Sequence, residues 1–165
     1  MFYYRLYNLL TAPGVVMHEL SHAFFCLTAG VKIHRVKLFQ FGKIAGYVEH
    51  EEPTKFYQGF LISLGPLILN SLFALLAFSQ WRAPDRHWQP WVWLWLGIGV
   101  ALHAIPSNED ANCMLHLANK RFWKNPLVMI GYPFVLILFI LNLFKRVHVD
   151  WVFVGVLFWL GRFYL

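Results

Sequence analysis

Charge is what this sequence has least of. Only 13% of its 165 residues are Asp, Glu, Lys or Arg, where an average soluble domain carries about 25%. So thin a charge content excludes an intrinsically disordered chain and a coiled coil with its charged flanking positions. Cysteine is scarce as well. The chain has two, Cys26 and Cys113, too few for the framework of a secreted disulfide scaffold. Cys26 lies inside an apolar stretch, where it reads as a small buried hydrophobe. There is no internal repeat and no low-complexity stretch, and the length is that of one domain.

What is abundant is apolar surface. Hydrophobic residues make up 59% of the chain and mean hydropathy is +0.51. One small core cannot hide that much, because a chain of this size keeps a large surface. The expectation is a multi-pass integral protein of the cell (inner) membrane. The aromatics (Phe 16, Trp 8 and Tyr 7) suit a chain with two membrane interfaces to anchor. The formal charge is +6, but its cations are scattered between apolar runs. That pattern fits juxtamembrane anchoring and argues against nucleic acid as a partner.

A bilayer core about 30 Å thick needs roughly 20 mostly apolar residues per helix. Four to five segments compete for that role, so an all-α membrane fold is expected, with a small membrane-associated β-hairpin after the first helix. The first span lies in residues 1–30, apolar from about Tyr4 to Gly30, and reads as a span, not as a cleavable signal peptide. Residues 31–55 change character. VKIHRVKLFQF alternates apolar with basic or polar residues, Gly42 and Gly46 punctuate, and YVEHEE follows, the pattern of a strand pair at the membrane surface. The second span is 56–79, the third 91–106, the fourth 126–144, and 151–165 is a partial or fifth span. Residues 107–125 read as an amphipathic helix capped by Ser107 or Asn108. If the spans alternate, one side collects Lys32, Arg35, Lys37, Lys43, Lys55, Lys120, Arg121 and Lys124. The other side has Arg5, Arg82, Arg86, Lys145 and Arg146. The positive-inside rule then favours the first side as cytoplasmic.

Ionisable groups inside a span are costly and usually functional. The first span holds three within the string HELSH: His18, Glu19 and His22. On a helix His18 and His22 are i and i+4, so both imidazoles share one face. That spacing suits two ligands of a tetrahedral zinc, and Glu19 next to the first is placed to serve as general base toward a metal-polarised water. A catalytic zinc needs a third protein ligand and an open position. The candidates are Asp110, Glu109, His103, His116, His34 and His50. Asp110 emerges after Pro106 on the side where the histidines lie, although an acid in the first turn of a helix also serves the helix itself. His103 is the rival. In the second span, Gly65 and Pro66 enter to about 14 Å at 1.5 Å per residue, and His22 lies about 12 Å from Gly30. SLGPLILN therefore passes the metal at a matching depth. Gly65 allows close approach, Pro66 frees backbone carbonyls, and Asn70 is a candidate to bind substrate backbone or an oxyanion.

HELSH in a first span, LGPLILN in the second, and an Asp after a Pro in PSNEDAN together resemble the site-2 protease family of intramembrane zinc metalloproteases. The resemblance covers about Val15 to Asn112. It implies a three-helix catalytic core in a minimal form without a PDZ domain, and one Zn2+ per chain held by two His and one Asp. It also implies hydrolysis of a peptide bond in a transmembrane or membrane-proximal substrate. Carried over, the ligands are His18, His22 and Asp110, with Glu19 as base. The third-ligand motif departs from the family's Asn-Pro, spacer, Asp-Gly: Pro106 precedes Ser107, and Ala111 follows Asp110. Two other readings compete: a non-catalytic membrane scaffold that retains the fold, and a small metal transporter. A transporter is expected to carry polar residues along several spans from face to face, and here they cluster at one depth.

Overall fold

The computed structural model describes residues 2–42, 44–81, 87–144 and 148–165. Five of the loop cations weighed above, Lys43, Arg82, Arg86, Lys145 and Arg146, lie outside the described residues. The chain is mostly helical, with one small antiparallel sheet. In order come α1 (Phe2–Leu10), α2 (Ala12–Thr28), β1 (Ile33–Lys37), β2 (Tyr47–His50), α3 (Phe56–Ser79) and α4 (Gln89–Leu102). Then follow α5 (Asn108–Arg121), a 3-10 turn (Phe122–Lys124), α6 (Pro126–Leu143) and α7 (Val149–Tyr164).

The first expected span is two helices. The chain turns at Thr11 because Pro13, in the first turn of α2, has no N–H to give to the preceding turn and its ring crowds the carbonyl there. Gly14 then brings α2 against α4. A Cβ at Gly14 would overlap the Gly99 carbonyl, so the two backbones touch. At its other end α2 stops on Gly30, the glycine with positive φ (68°). Val31 N–H donates to the Cys26 carbonyl (2.8 Å) and Gly30 N–H to Leu27 (3.2 Å), a Schellman stop. Val31 and Cys26 pack in one apolar cluster with Ala29 and Ile62. That stop aims the chain into the expected hairpin. Its register pairs Ile33 with His50, Arg35 with Glu49, Val36 with Val48 and Lys37 with Tyr47, with a bulge between Ile33 and Arg35.

α3 is the central helix. Its start is tied to the end of α2 by Gln58, whose side-chain amide donates to the Ala29 carbonyl (3.0 Å) while its carbonyl accepts from Lys55 N–H (2.9 Å). Ala74 and Phe78 pack with Ala101 and Leu102 of α4 and with Val154 and Leu157 of α7. α5 and α6 form a helical hairpin whose Met114, Ala118, Val128, Val135 and Leu138 close on Phe56 of α3.

Among the described residues one helix, α3, is long and apolar enough to cross a bilayer. α4 ends at Leu102, short of the expected end at 106, because Pro106 can neither donate to Leu102 nor tolerate a helical residue before it. Its 14 residues reach only about 21 Å at 1.5 Å per residue. α7 begins at Val149, two residues before the expected segment, after His148 in the left-handed conformation. The outward faces of α6 (Ile130, Phe134, Ile137) and α7 (Val152, Trp159, Phe163) are apolar and exposed.

The Gly14–Gly99 contact yields a test. Gly14→Val puts a branched side chain where a carbonyl sits and is expected to cost about 1–3 kcal/mol. It should register as a lower thermal unfolding midpoint in detergent than the wild type.

Candidate metal centre

His18, Glu19 and His22 lie on one turn of α2, and the structure brings Asp110 to them from the first turn of α5. The ligand-capable atoms of His18, His22 and Asp110 all lie within 4.8 Å of one another. The two Nε2 atoms are 3.1 Å apart. Asp110 Oδ2 is 3.4 Å from His22 Nε2 and 3.7 Å from His18 Nε2. The side chains are mostly out of solvent, 13% exposed for His18, 9% for His22 and 18% for Asp110.

Each imidazole is held from behind. His18 Nδ1–H donates to the His103 carbonyl (2.7 Å) and His22 Nδ1–H to the Ile62 carbonyl (3.0 Å). A carbonyl only accepts, so both Nδ1 atoms carry a proton and both Nε2 lone pairs are turned toward Asp110. Three electron-rich atoms at this spacing repel unless a cation sits among them. Two imidazole nitrogens and one carboxylate oxygen, with room left for a fourth partner, are a donor set that suits catalytic zinc. The residues therefore fit the group. Protons on the imidazoles are the alternative cations, and metal binding must displace them. In that protonated state burial pushes the Asp110 carboxyl up. The hydrogen bonds and charge of His18 and His22 outweigh it and hold the carboxyl well below the usual carboxylate range.

Asp110 was legible from sequence as a helix-start acid or as a ligand. The structure places one oxygen in position for both. Ser107 N–H (2.9 Å) and Ser107 hydroxyl (2.6 Å) both donate to Asp110 Oδ2, and Asp110 N–H donates to Ser107 Oγ (3.1 Å). This is a capping box with Ser107 as the N-cap. It fixes the rotamer that carries Oδ2 to the histidines. The same stretch is pinned twice more, by the Ser63 hydroxyl donating to the Asp110 carbonyl (3.3 Å) and by the Asn142 amide donating to the Ser107 carbonyl (3.3 Å).

Glu19 is buried, 8% exposed. It lines a cavity of about 370 Å3 together with His18, His22 and Asp110, walled on the far side by Tyr47, Val48 and His50 around β2. It also borders a second cavity of about 180 Å3 toward His103 and Ser107. Gly46 crosses directly over it: a Cβ there would stand 2.7 Å from Glu19 Cγ and 2.9 Å from the Leu38 carbonyl. The turn before β2 therefore closes on the Glu19 side chain between the Leu38 and Lys37 carbonyls, and only glycine permits it.

The other expected site residues are placed differently. Asn70 is fully buried and lines neither cavity. Its amide donates to the carbonyls of His103 (3.2 Å) and Val100 (3.5 Å), and its oxygen accepts from Ser21 (3.1 Å). A side chain so committed does not reach a substrate or oxyanion. Gly65 meets Phe25 and the Ser21 carbonyl and packs α3 on α2, and Pro66 is fully buried. His103 is not a ligand in this geometry. Its Nε2–H donates to Thr11 Oγ1 (2.9 Å), whose own hydrogen goes to the Tyr7 carbonyl, and what His103 offers the site is its backbone oxygen. His34 faces Glu51 at 4.0 Å on the sheet and His116 is exposed. His50 and Glu109 line the larger cavity outside the three-atom cluster.

Sequence reasoning passed over Ser107 as a clamp on the ligand, Gly46 as a cover and Asn142 altogether. The Ser-x-x-Asp spacing and a lone Asn in an apolar run were the available signals. No protein-family model, curated protein or solved structure matches this chain.

Removing the clamp is a direct test. Ser107→Ala is expected to cost about 0.5–2 kcal/mol as the loss of an N-cap, read as a lower unfolding midpoint. It should also weaken metal binding, because Asp110 Oδ2 loses a 2.6 Å donor.

Proposed function

We propose that this chain is an intramembrane zinc metallopeptidase of the site-2 protease type. It hydrolyses a peptide bond of a transmembrane or membrane-proximal substrate. The observation that carries the reading is the convergence of His18 and His22 of α2 with Asp110 of α5, two helices far apart in sequence, beside a buried Glu19. Burying three such groups and a second carboxylate in an apolar helical fold is costly and has a use if a divalent cation is bound. The capping box of Asp110 and the carbonyl partners of both imidazoles further support it, since bound metals have such orienting groups behind their ligands. In this reading α2, α3, α4, α6 and α7 are embedded in the bilayer, which accounts for the apolar residues exposed on α6 and α7.

Zinc, when bound by His18, His22 and Asp110, supplies Lewis-acid activation of a water and a carbonyl oxygen. The rest belongs to the chain. Glu19 borders both cavities, so a water or a substrate segment held in either would meet its side chain. As general base its carboxylate accepts the proton of the attacking water, then returns it to the departing amine nitrogen. The edge of β2 at the cavity is positioned to hold an unwound substrate segment by strand addition, which frees the scissile carbonyl from its own helix.

Two measurements test this. Purified protein supplied with zinc should hold about one ion per chain, and His22→Ala and Asp110→Ala should lose it, since each removes one of three ligands. Glu19→Gln should keep the ion while cleavage of reconstituted single-span peptides drops by about 10²–10⁴-fold. Cleavage at the wild-type rate by Glu19→Gln would remove the general-base role. Full zinc occupancy without cleavage of any peptide would leave a metal-binding scaffold.

A further inference from the structure

Two backbone carbonyls orient the two histidines, and each has lost its ordinary helical partner. The Ile62 carbonyl lies inside α3, where residue 66 would donate to it. Residue 66 is proline, which has no N–H. The oxygen is thereby released, and it receives His22 Nδ1–H at 3.0 Å. The His103 carbonyl lies just past the end of α4, where residue 107 would donate. Ser107 N–H is turned instead to Asp110 Oδ2 at 2.9 Å. The His103 oxygen receives His18 Nδ1–H at 2.7 Å, and Asn70, one turn beyond Pro66 on α3, holds the same oxygen at 3.2 Å.

The geometry points to Pro66 and Asn70 as positioning residues of the metal centre. Pro66 acts on His22 by freeing the Ile62 carbonyl, and Asn70 acts on His18 by fixing the His103 carbonyl. The GPLILN stretch thus serves the ligands from behind and does not touch the substrate. A histidine whose Nδ1–H is held this way presents Nε2 in one tautomer and one orientation, and loss of such a partner typically costs 10–100-fold in metal affinity. This inference rests on the reading of the cluster as a metal site.

The test uses full-length protein with 15N-labelled histidine in detergent at a fixed, mildly alkaline pH. It reads solvent exchange of each Nδ1–H in the metal-free protein, and zinc affinity by chelator competition. In the wild type both Nδ1–H groups should exchange slowly. Pro66→Ala restores an N–H that shares the Ile62 oxygen. It should speed exchange at His22 and leave His18 unchanged, with zinc bound about 10–100-fold more weakly. Asn70→Leu should do the converse, speeding exchange at His18 alone. A general loss of packing would loosen both rings together. The inference is overturned by a wild-type His22 with no proton on Nδ1. It is equally overturned by a Pro66→Ala protein with unchanged exchange and affinity. Should Pro66→Ala fail to fold, the wild-type spectrum and Asn70→Leu decide. A wild type that binds no zinc overturns the metal reading by itself, while the exchange pattern still reports whether the carbonyls hold the rings.

Discussion

Three lone pairs pointed at one another inside an apolar fold are the constraint around which the rest is arranged. His18 Nε2, His22 Nε2 and Asp110 Oδ2 approach to between 3.1 and 3.7 Å. Such an arrangement survives only with positive charge between the atoms and with each side chain held from outside the cluster. The outside hold comes from defects in regular helices. A proline inside α3, the end of α4 ahead of Pro106 and the first turn of α5 each leave backbone groups without their helical partners. Those groups face the cluster and bond to the side chains around it. Features that would be flaws in isolated helices are, at this point in the bundle, the hydrogen-bonding shell of the site.

Such a shell works only if the helices come close. Gly14 lets α2 touch the backbone of α4, Gly65 lets α3 meet α2 at Ser21 and Phe25, and Gly161 seats α7 on Leu75 of α3. Small residues at such contacts let the backbones approach closely, so that dispersion and interhelical hydrogen bonds hold the bundle. Asn70 contributes at the same place. It bridges α2 through Ser21 and the end of α4 through the His103 and Val100 carbonyls, so the three helices that frame the site are joined by one amide.

The hairpin adds the remaining wall. Its first strand leaves α2 through the Gly30 stop, and its second returns across the cavity mouth with Gly46 resting on Glu19. The Glu19 side chain is thereby buried between the two cavities. An edge strand beside a buried carboxylate is also a surface on which an extended peptide can lie.

Much of this was readable along the chain. Local rules suffice for a helical pair i, i+4, for a Gly-punctuated alternation, for a cap at Ser107 and for helix ends near Gly30 and Pro106, because each depends on residues a few positions apart. The HELSH string by itself placed His18 and His22 on one face with Glu19 beside them. What only the tertiary structure decided lies between segments. Asp110 is the third member and His103 is not, because the direction of a carboxylate and of an imidazole depends on how α4, α5 and α2 pack. Asn70 and Gly65 face the neighbouring helices and Pro66 is buried, since depth along a helix says nothing of its rotation about its axis. The break at Thr11 and the early end of α4 shorten two expected spans for a local reason, a proline, that apolar content alone does not weigh.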